Sequence, residues 1–427
     1  MSDLKVPQQE GAAAQFTRYQ KLVAGLLAFL QFAVIIDFMV MAPLGAMIIP
    51  ALGITPARFG MVVSAYAFSA GISGLLAAGF ADRFDRKKLL LFFYMGFLGG
   101  TLWCALAQTF AALLAARIVT GLFGGVIGSV LLAIAADLFA FELRGRAMAL
   151  IQTAFAASQV LGLPVALYLS NRWDWHAPFF MIVAVGIVGG VIVAWRLQPV
   201  SAHLDKQNDT NAFRHLLRTV TEQRHLTAFA ATALLSTGGF MLMPFSSVFT
   251  VNNLGITVAQ LPTIYLVTGL FTIFAGPLVG KAADRLGKLQ VFWAGSVVTT
   301  GMVLTYTHLG PVPLPLVIAV NVVLFIGIFS RMIPYQAMSA SVPELHMRGS
   351  YSAISAAIQQ LSGGVAAVVA GHLVSTGADG KLQGFANVGY VVVASTAVAA
   401  YLASRVSAGI KERAASADAG LARSSAR

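Results

Sequence analysis

Charge is something this 427-residue chain has little of. Only 10% of its residues are Asp, Glu, Lys or Arg, while 58% are hydrophobic. An ordinary soluble domain is about 25% charged, and no soluble fold could cover this much apolar surface with so few charges. Cysteine is scarcer still. Cys104 stands alone inside an apolar segment, which excludes an intrachain disulfide and leaves a small packing residue. The sequence has no P-loop, no His/Asp/Glu cluster for a metal, and no pair of membrane carboxylates for intramembrane proteolysis. The chain therefore reads as no enzyme and no ATP-driven pump, with no cofactor and no metal. Acids number 16 against 28 Lys and Arg. That basic excess is assigned to loops beside a lipid bilayer, not to nucleic acid.

Long apolar runs are what the chain has in abundance. Twelve can be marked, near 21–49, 58–80, 89–107, 111–135, 147–170, 177–197, 226–251, 259–281, 289–308, 314–340, 349–375 and 384–404. A transmembrane helix needs roughly 20 such residues. The first run is expected to be a span and not a cleaved leader, because it is too long and no small-residue cleavage site ends it. The expected order is an N-terminal tail (1–20), a six-helix bundle (21–197), a polar central loop (198–225), a second six-helix bundle (226–405) and a tail (406–427) expected to be disordered. The fold class is an all-α membrane protein of two six-helix bundles.

The positive charges give an orientation. With the N-terminus in the cytoplasm and the loops alternating, only Arg58, Arg172 and Lys381 fall outside, and Arg117 and Arg331 fall within spans. Every other Lys and Arg is then cytoplasmic, as are both termini.

The halves echo each other. ADRFDRKKL, with Asp82, Arg83 and Arg86, follows the second span; ADRLGKLQ, with Asp284, Arg285, Gly287 and Lys288, follows the eighth. Asp82 and Asp284 are 202 residues apart. LRGRA after the fourth span (Arg144) and MRGSY after the tenth (Arg348) are 204 apart. Repeated halves suggest a transporter with its site near the midplane. An aspartate in such a loop can accept from arginine and from a helix N-terminus, holding helices together in one conformation and releasing them in another.

Polar residues within spans are the candidate site. Asp37, in AVIIDFMVMAPLG, is the only acid deep within a span. A carboxylate at mid-bilayer costs roughly 2.5–3.5 kcal/mol on insertion scales, so its retention points to function. Burial disfavours the charge and a cation such as Arg117 restores it, so the pair is the candidate proton-coupling site. A structural acid or a counter-ion for a cationic substrate are the alternatives. Substrate-cavity candidates are Gln31, Gln152, Gln159, Asn321, Arg331, Tyr335, Gln336 and Gln359, most of which could equally bond between helices. Gly121 is expected to let helices approach closely. Gly162 and Pro164 mark a weak point in the fifth helix.

The loop Gly280-x-x-x-Asp284-Arg285-x-Gly287-Lys288 resembles the cytoplasmic signature G-x-x-x-D-R-x-G-R-[KR] of the major facilitator superfamily. The first copy has Ala78 and Asp85 at its two glycine positions. Arg117-x-x-x-Gly121 is similar to the family's fourth-helix motif. Gly162-x-Pro164, followed by Trp175 and Phe179, resembles the sugar-efflux-like branch of its drug:proton antiporters, although G-P-x-x-G-G is absent. The resemblance implies a proton-coupled exporter of sugars, related metabolites, purines or amphiphilic drugs, working by alternating access in a bacterial inner membrane. It implies a small-molecule substrate and protons as partners; because both halves are covalently joined, one chain is expected to be the working unit. Import by symport or uniport, and a non-transporting sensor, are the competing functions.

Overall fold

The computed structural model describes residues 15–201, 204, 219–344 and 347–425. Most of the expected N-terminal tail and much of the central loop lie outside the described residues.

The first bundle holds α1 (Arg18–Val40), a short α2 (Gly45–Ala51), α3 (Pro56–Phe80), α4 (Arg86–Leu106), α5 (Phe110–Leu138), α6 (Phe141–Ala157), α7 (Leu163–Arg172) and α8 (Ala177–Arg196). The second holds α9 (Gln223–Asn252), α10 (Leu261–Leu286), α11 (Lys288–Thr307), α12 (Leu314–Ser339), α13 (Arg348–Leu373) and α14 (Phe385–Ser425). With α6 and α7 forming one bent rod, each bundle has six long rods. Thr17, Thr55 and Thr109 start α1, α3 and α5 by accepting a backbone N–H three residues on.

Among the described residues, eleven helical stretches are long and apolar enough to cross a membrane. The twelfth rod, α11, is 20 residues long but rich in hydroxyls. Ser296, Thr299, Thr305 and Thr307 each donate to a carbonyl one turn back. Those bonds keep the polar groups satisfied inside the helix.

Two features depart from the expected plan. Ser375–Thr376 pairs antiparallel with Leu382–Gln383 in the turn before α14. Helix also continues through the segment expected to be a disordered tail, where Ala, Glu, Lys and Arg are all strong helix formers.

Glycines set the spacing within and between bundles. A Cβ on Gly121 would collide with Ser69 and the Tyr66 backbone, and one on Gly125 with the Ala70 backbone. These contacts hold α5 against α3. A Cβ on Gly60 would strike the Ala367 carbonyl, where α3 meets α13 of the other bundle. Near that end Ser247 of α9 donates to the Ala42 carbonyl at 3.0 Å, and Phe59 packs edge-on against Phe245. Toward the end bearing Asp82, Leu75 and Ala78 of α3 pack on the cluster that holds Phe229, Tyr351 and Ile354.

Candidate functional site

Asp37 lies on the inward face of α1 and is fully buried. Its Oδ2 accepts from Arg117 Nη1 at 2.8 Å. Thr101 Oγ1 is 3.1 Å from Asp37 Oδ1 and 3.0 Å from the Phe97 carbonyl, so its one proton can serve either acceptor. The Arg117 guanidinium sits over the Tyr66 ring, 4.4 Å from its centre. Four helices, α1, α3, α4 and α5, thus contribute to one buried cluster.

The physical logic is mutual dependence. A charge taken from water costs several kcal/mol unless its partner and hydrogen bonds are well placed. Here the carboxylate has two donors, and the guanidinium has one acceptor and one aromatic face. Arg117 Nε has no hydrogen-bond partner among the described residues. The cluster can hold or release one proton at Asp37, and either change alters what Arg117 must bond to.

A second group lies where the bundles meet. Met39, Gln159 and Leu163 face Met243, Tyr265 and Thr268 across a small cavity. Gln159 Oε1 accepts from Thr272 Oγ1 at 3.1 Å. The Gln159 backbone lies against Gly269, close enough that a Cβ there would have to displace it. Ser158–Gly162 is a π turn between α6 and α7. Pro164 lacks the N–H that a regular helix would use, and the chain accommodates this with a wider turn. Gly162 lets Ile36 of α1 approach at that point.

The other expected cavity residues are dispersed. Gln31 packs near Gly128 of α5. Gln152 and Gln336 are exposed, and Gln359 is half-buried. The Asn321 amide donates to its own helix at the Val317 carbonyl, 2.9 Å away. Tyr335 turns into the second bundle, where its hydroxyl donates to the Ala228 carbonyl at 2.5 Å. Arg331 shares that inward face of α12. The structure does not bring these residues together into one cavity.

The repeated loop differs between its copies. In the first, Arg86 Nη2 donates to Asp82 Oδ1 at 2.6 Å, and Nε to Asp137 Oδ2 at 3.3 Å. One guanidinium thereby ties the ends of α3 and α5 to the start of α4. Asp85 caps α4 by accepting from the Lys88 N–H at 2.9 Å. Arg83 is exposed. In the second copy, Asp284 and Arg285 are exposed at the end of α10 and make no ion pair among the described residues. Gly287 takes a left-handed conformation (φ 99°) and Lys288 begins α11. The repeat spacing puts Lys288 opposite Arg86 and Ser341 opposite Asp137, so the second copy lacks both the fork and the second carboxylate.

The Major Facilitator Superfamily profile matches residues 27–367, and the chain belongs to that family. An uncharacterized MFS-type transporter of Bacillus subtilis, YtbD, is 27% identical over 55% of this chain and 58% of its own length. Another from the same organism, YceJ, is 24% identical over 78% and 84%. A probable sugar efflux transporter of Helicobacter pylori is 26% identical over 34% of this chain and 36% of that one. In fold, the chain is similar to the nucleoside transporter NupG (TM-score 0.73, 14% identity, covering 90% of this chain and 99% of that one). It is likewise similar to a bacterial homologue of the lysosomal transporter Spinster (TM-score 0.71, 15% identity, covering 92% and 98%). The protein is thus a multi-pass membrane transporter of small molecules.

Sequence reasoning picked out Asp37 and Arg117 but not Tyr66, Thr101, Thr268 or Tyr265. A single Tyr or Thr in an apolar helix is too common to stand out before its neighbours are known.

Proposed function

We propose that the protein is a proton-coupled exporter in which Asp37 carries the proton and Arg117 is its paired cation. The observation that carries this reading is the 2.8 Å contact between two charges buried to 0% and 1% exposure. A pair so isolated is worth its desolvation only if it is used, and intramembrane ionisable residues are functional by default. When Asp37 takes a proton, Arg117 loses its anionic partner and the packing of α1 against α5 is free to change. Alternating access supplies the two sides on which the proton enters and leaves. Moving one charge through the membrane potential yields about 2.3 kcal/mol per 100 mV, enough to bias exchange.

Export is supported by the Gly162-x-Pro164 element and by the similarity to a probable sugar efflux transporter of Helicobacter pylori. The substrate site in this reading is the space between Gln159 and Thr268, and the Arg86 relay steadies the cytoplasmic end of the first bundle in one state. The termini face the cytoplasm of a bacterial inner membrane, and one chain is the working unit. The test is substrate-induced proton movement in vesicles of both orientations. Export predicts that substrate releases protons from inverted vesicles carrying an inward-acid gradient. Proton uptake together with substrate would instead indicate symport and sink the exporter reading.

A further inference from the structure

The second bundle contains a buried cation that has no acidic partner among the described residues. Arg331 is 4% exposed, and its Nε and Nη2 are buried with no hydrogen-bond partner among the described residues. A guanidinium does not lose its proton inside a protein. The sequence has no acid between Glu222 and Asp284, between Asp284 and Glu344, or between Glu344 and Asp379. Every carboxylate near α12 in sequence is therefore at a helix end or in a loop. Arg117, equally buried, shows what the other bundle does with such a charge: it supplies Asp37.

The unfilled atoms are not scattered. Nε and Nη2 are the two donors along one edge of the guanidinium plane, and their parallel N–H bonds match the two oxygens of a carboxylate or a phosphate. A water molecule could accept from one of them but could not neutralise the charge. Arg331 lies next to Ser330, whose flank is pressed against Gly295 of α11, and one turn before Tyr335, which is anchored to α9. The backbone that carries the guanidinium is thus held by two neighbouring helices. Both donors are covered by protein in this conformation, so an oxyanion reaches them only when the helices around Arg331 part.

We propose that Arg331 is an oxyanion-binding site inside the second bundle, taking the carboxylate or phosphate group of a small molecule. This site is separate from the Asp37–Arg117 pair and does not depend on the proton-coupling reading.

The experiment is thermal melting of the purified full-length chain in detergent, with sodium acetate or sodium phosphate exchanged for sodium chloride at constant ionic strength. The parent is expected to melt about 2–4 °C higher, saturably, in at least one of the two oxyanions. The better of the two identifies carboxylate or phosphate as the group taken. Arg331→Gln should lose the shift, and Arg331→Lys should keep a smaller one because it has the charge but not the fork. In chloride alone, Arg331→Met should melt at or above the parent, since it removes an uncompensated buried charge. No oxyanion-dependent shift in the parent, or the same shift in Arg331→Gln, would overturn the proposal. So would an Arg331→Met variant that melts well below the parent in chloride, because the protein itself would then be satisfying the charge.

Discussion

Asp37 and Arg117, eighty residues apart in sequence, meet at 2.8 Å in the interior of the first bundle. The repeat spacing sets Asn321 opposite Arg117, and the Asn321 amide donates within its own helix. The two bundles share a fold but not a charge pattern, so mutations at equivalent positions should have unequal effects.

Asp37→Asn is expected to insert and fold while losing at least about tenfold in proton-driven transport, with downhill exchange retained. Uphill transport from an imposed pH gradient at the parent's rate would show that the proton is carried elsewhere.

Arg117→Met should lower the folded yield, because it leaves a buried carboxyl without its cation, at a cost of up to roughly 3–5 kcal/mol that uptake of a proton by Asp37 reduces. The double variant Asp37→Asn/Arg117→Met should recover much of the folded yield, read by size-exclusion chromatography in detergent. A double variant as poor as the single Arg117→Met would mean that Arg117 acts through packing and not through charge.

The Arg86 relay predicts a rate effect. Asp82→Asn should slow turnover several-fold with little change in substrate affinity, since the contact lies at a helix end remote from the cavity. Asp284→Asn, which breaks no ion pair among the described residues, should be milder. Equal losses from the two, measured in the same vesicle assay, would argue that the second copy pairs in another conformation.

Gly121→Ala should lower the melting temperature by the equivalent of about 1–3 kcal/mol, because α5 cannot back away from α3 without opening the core. Gly99→Ala, where a new methyl meets open space, should be neutral or slightly stabilising by helix propensity. A neutral Gly121→Ala would show that α5 can move away from α3 without cost.

Much of this was legible in the sequence, because a bilayer punishes unsatisfied polarity. Lone charges at 37 and 117 stand out against apolar surroundings, and so do twelve runs of spanning length. The bonding of those charges was less legible. Asp82 reads as a partner for a neighbouring helix, yet its bond to Arg86 is completed by Asp137, which the loop motif does not contain. Tyr335 reads as a cavity wall from its spacing to Arg331, but both lie on the face of α12 turned into the bundle. Periodicity says which residues share a face; it does not say whether that face meets a cavity or a neighbouring helix.

The π turn at Ser158–Gly162 has a consequence for phase. It holds an extra residue, so α6 and α7 are out of register by about 100° relative to one continuous α-helix. Removing a single residue from this turn would make a more regular helix and a worse protein. Gln159 would swing off Thr272, or else Gly162 would leave Ile36 of α1, depending on which side yields. A one-residue deletion here should therefore be tolerated less well than any single substitution in the turn, although it shortens the chain where its hydrogen bonding is least regular.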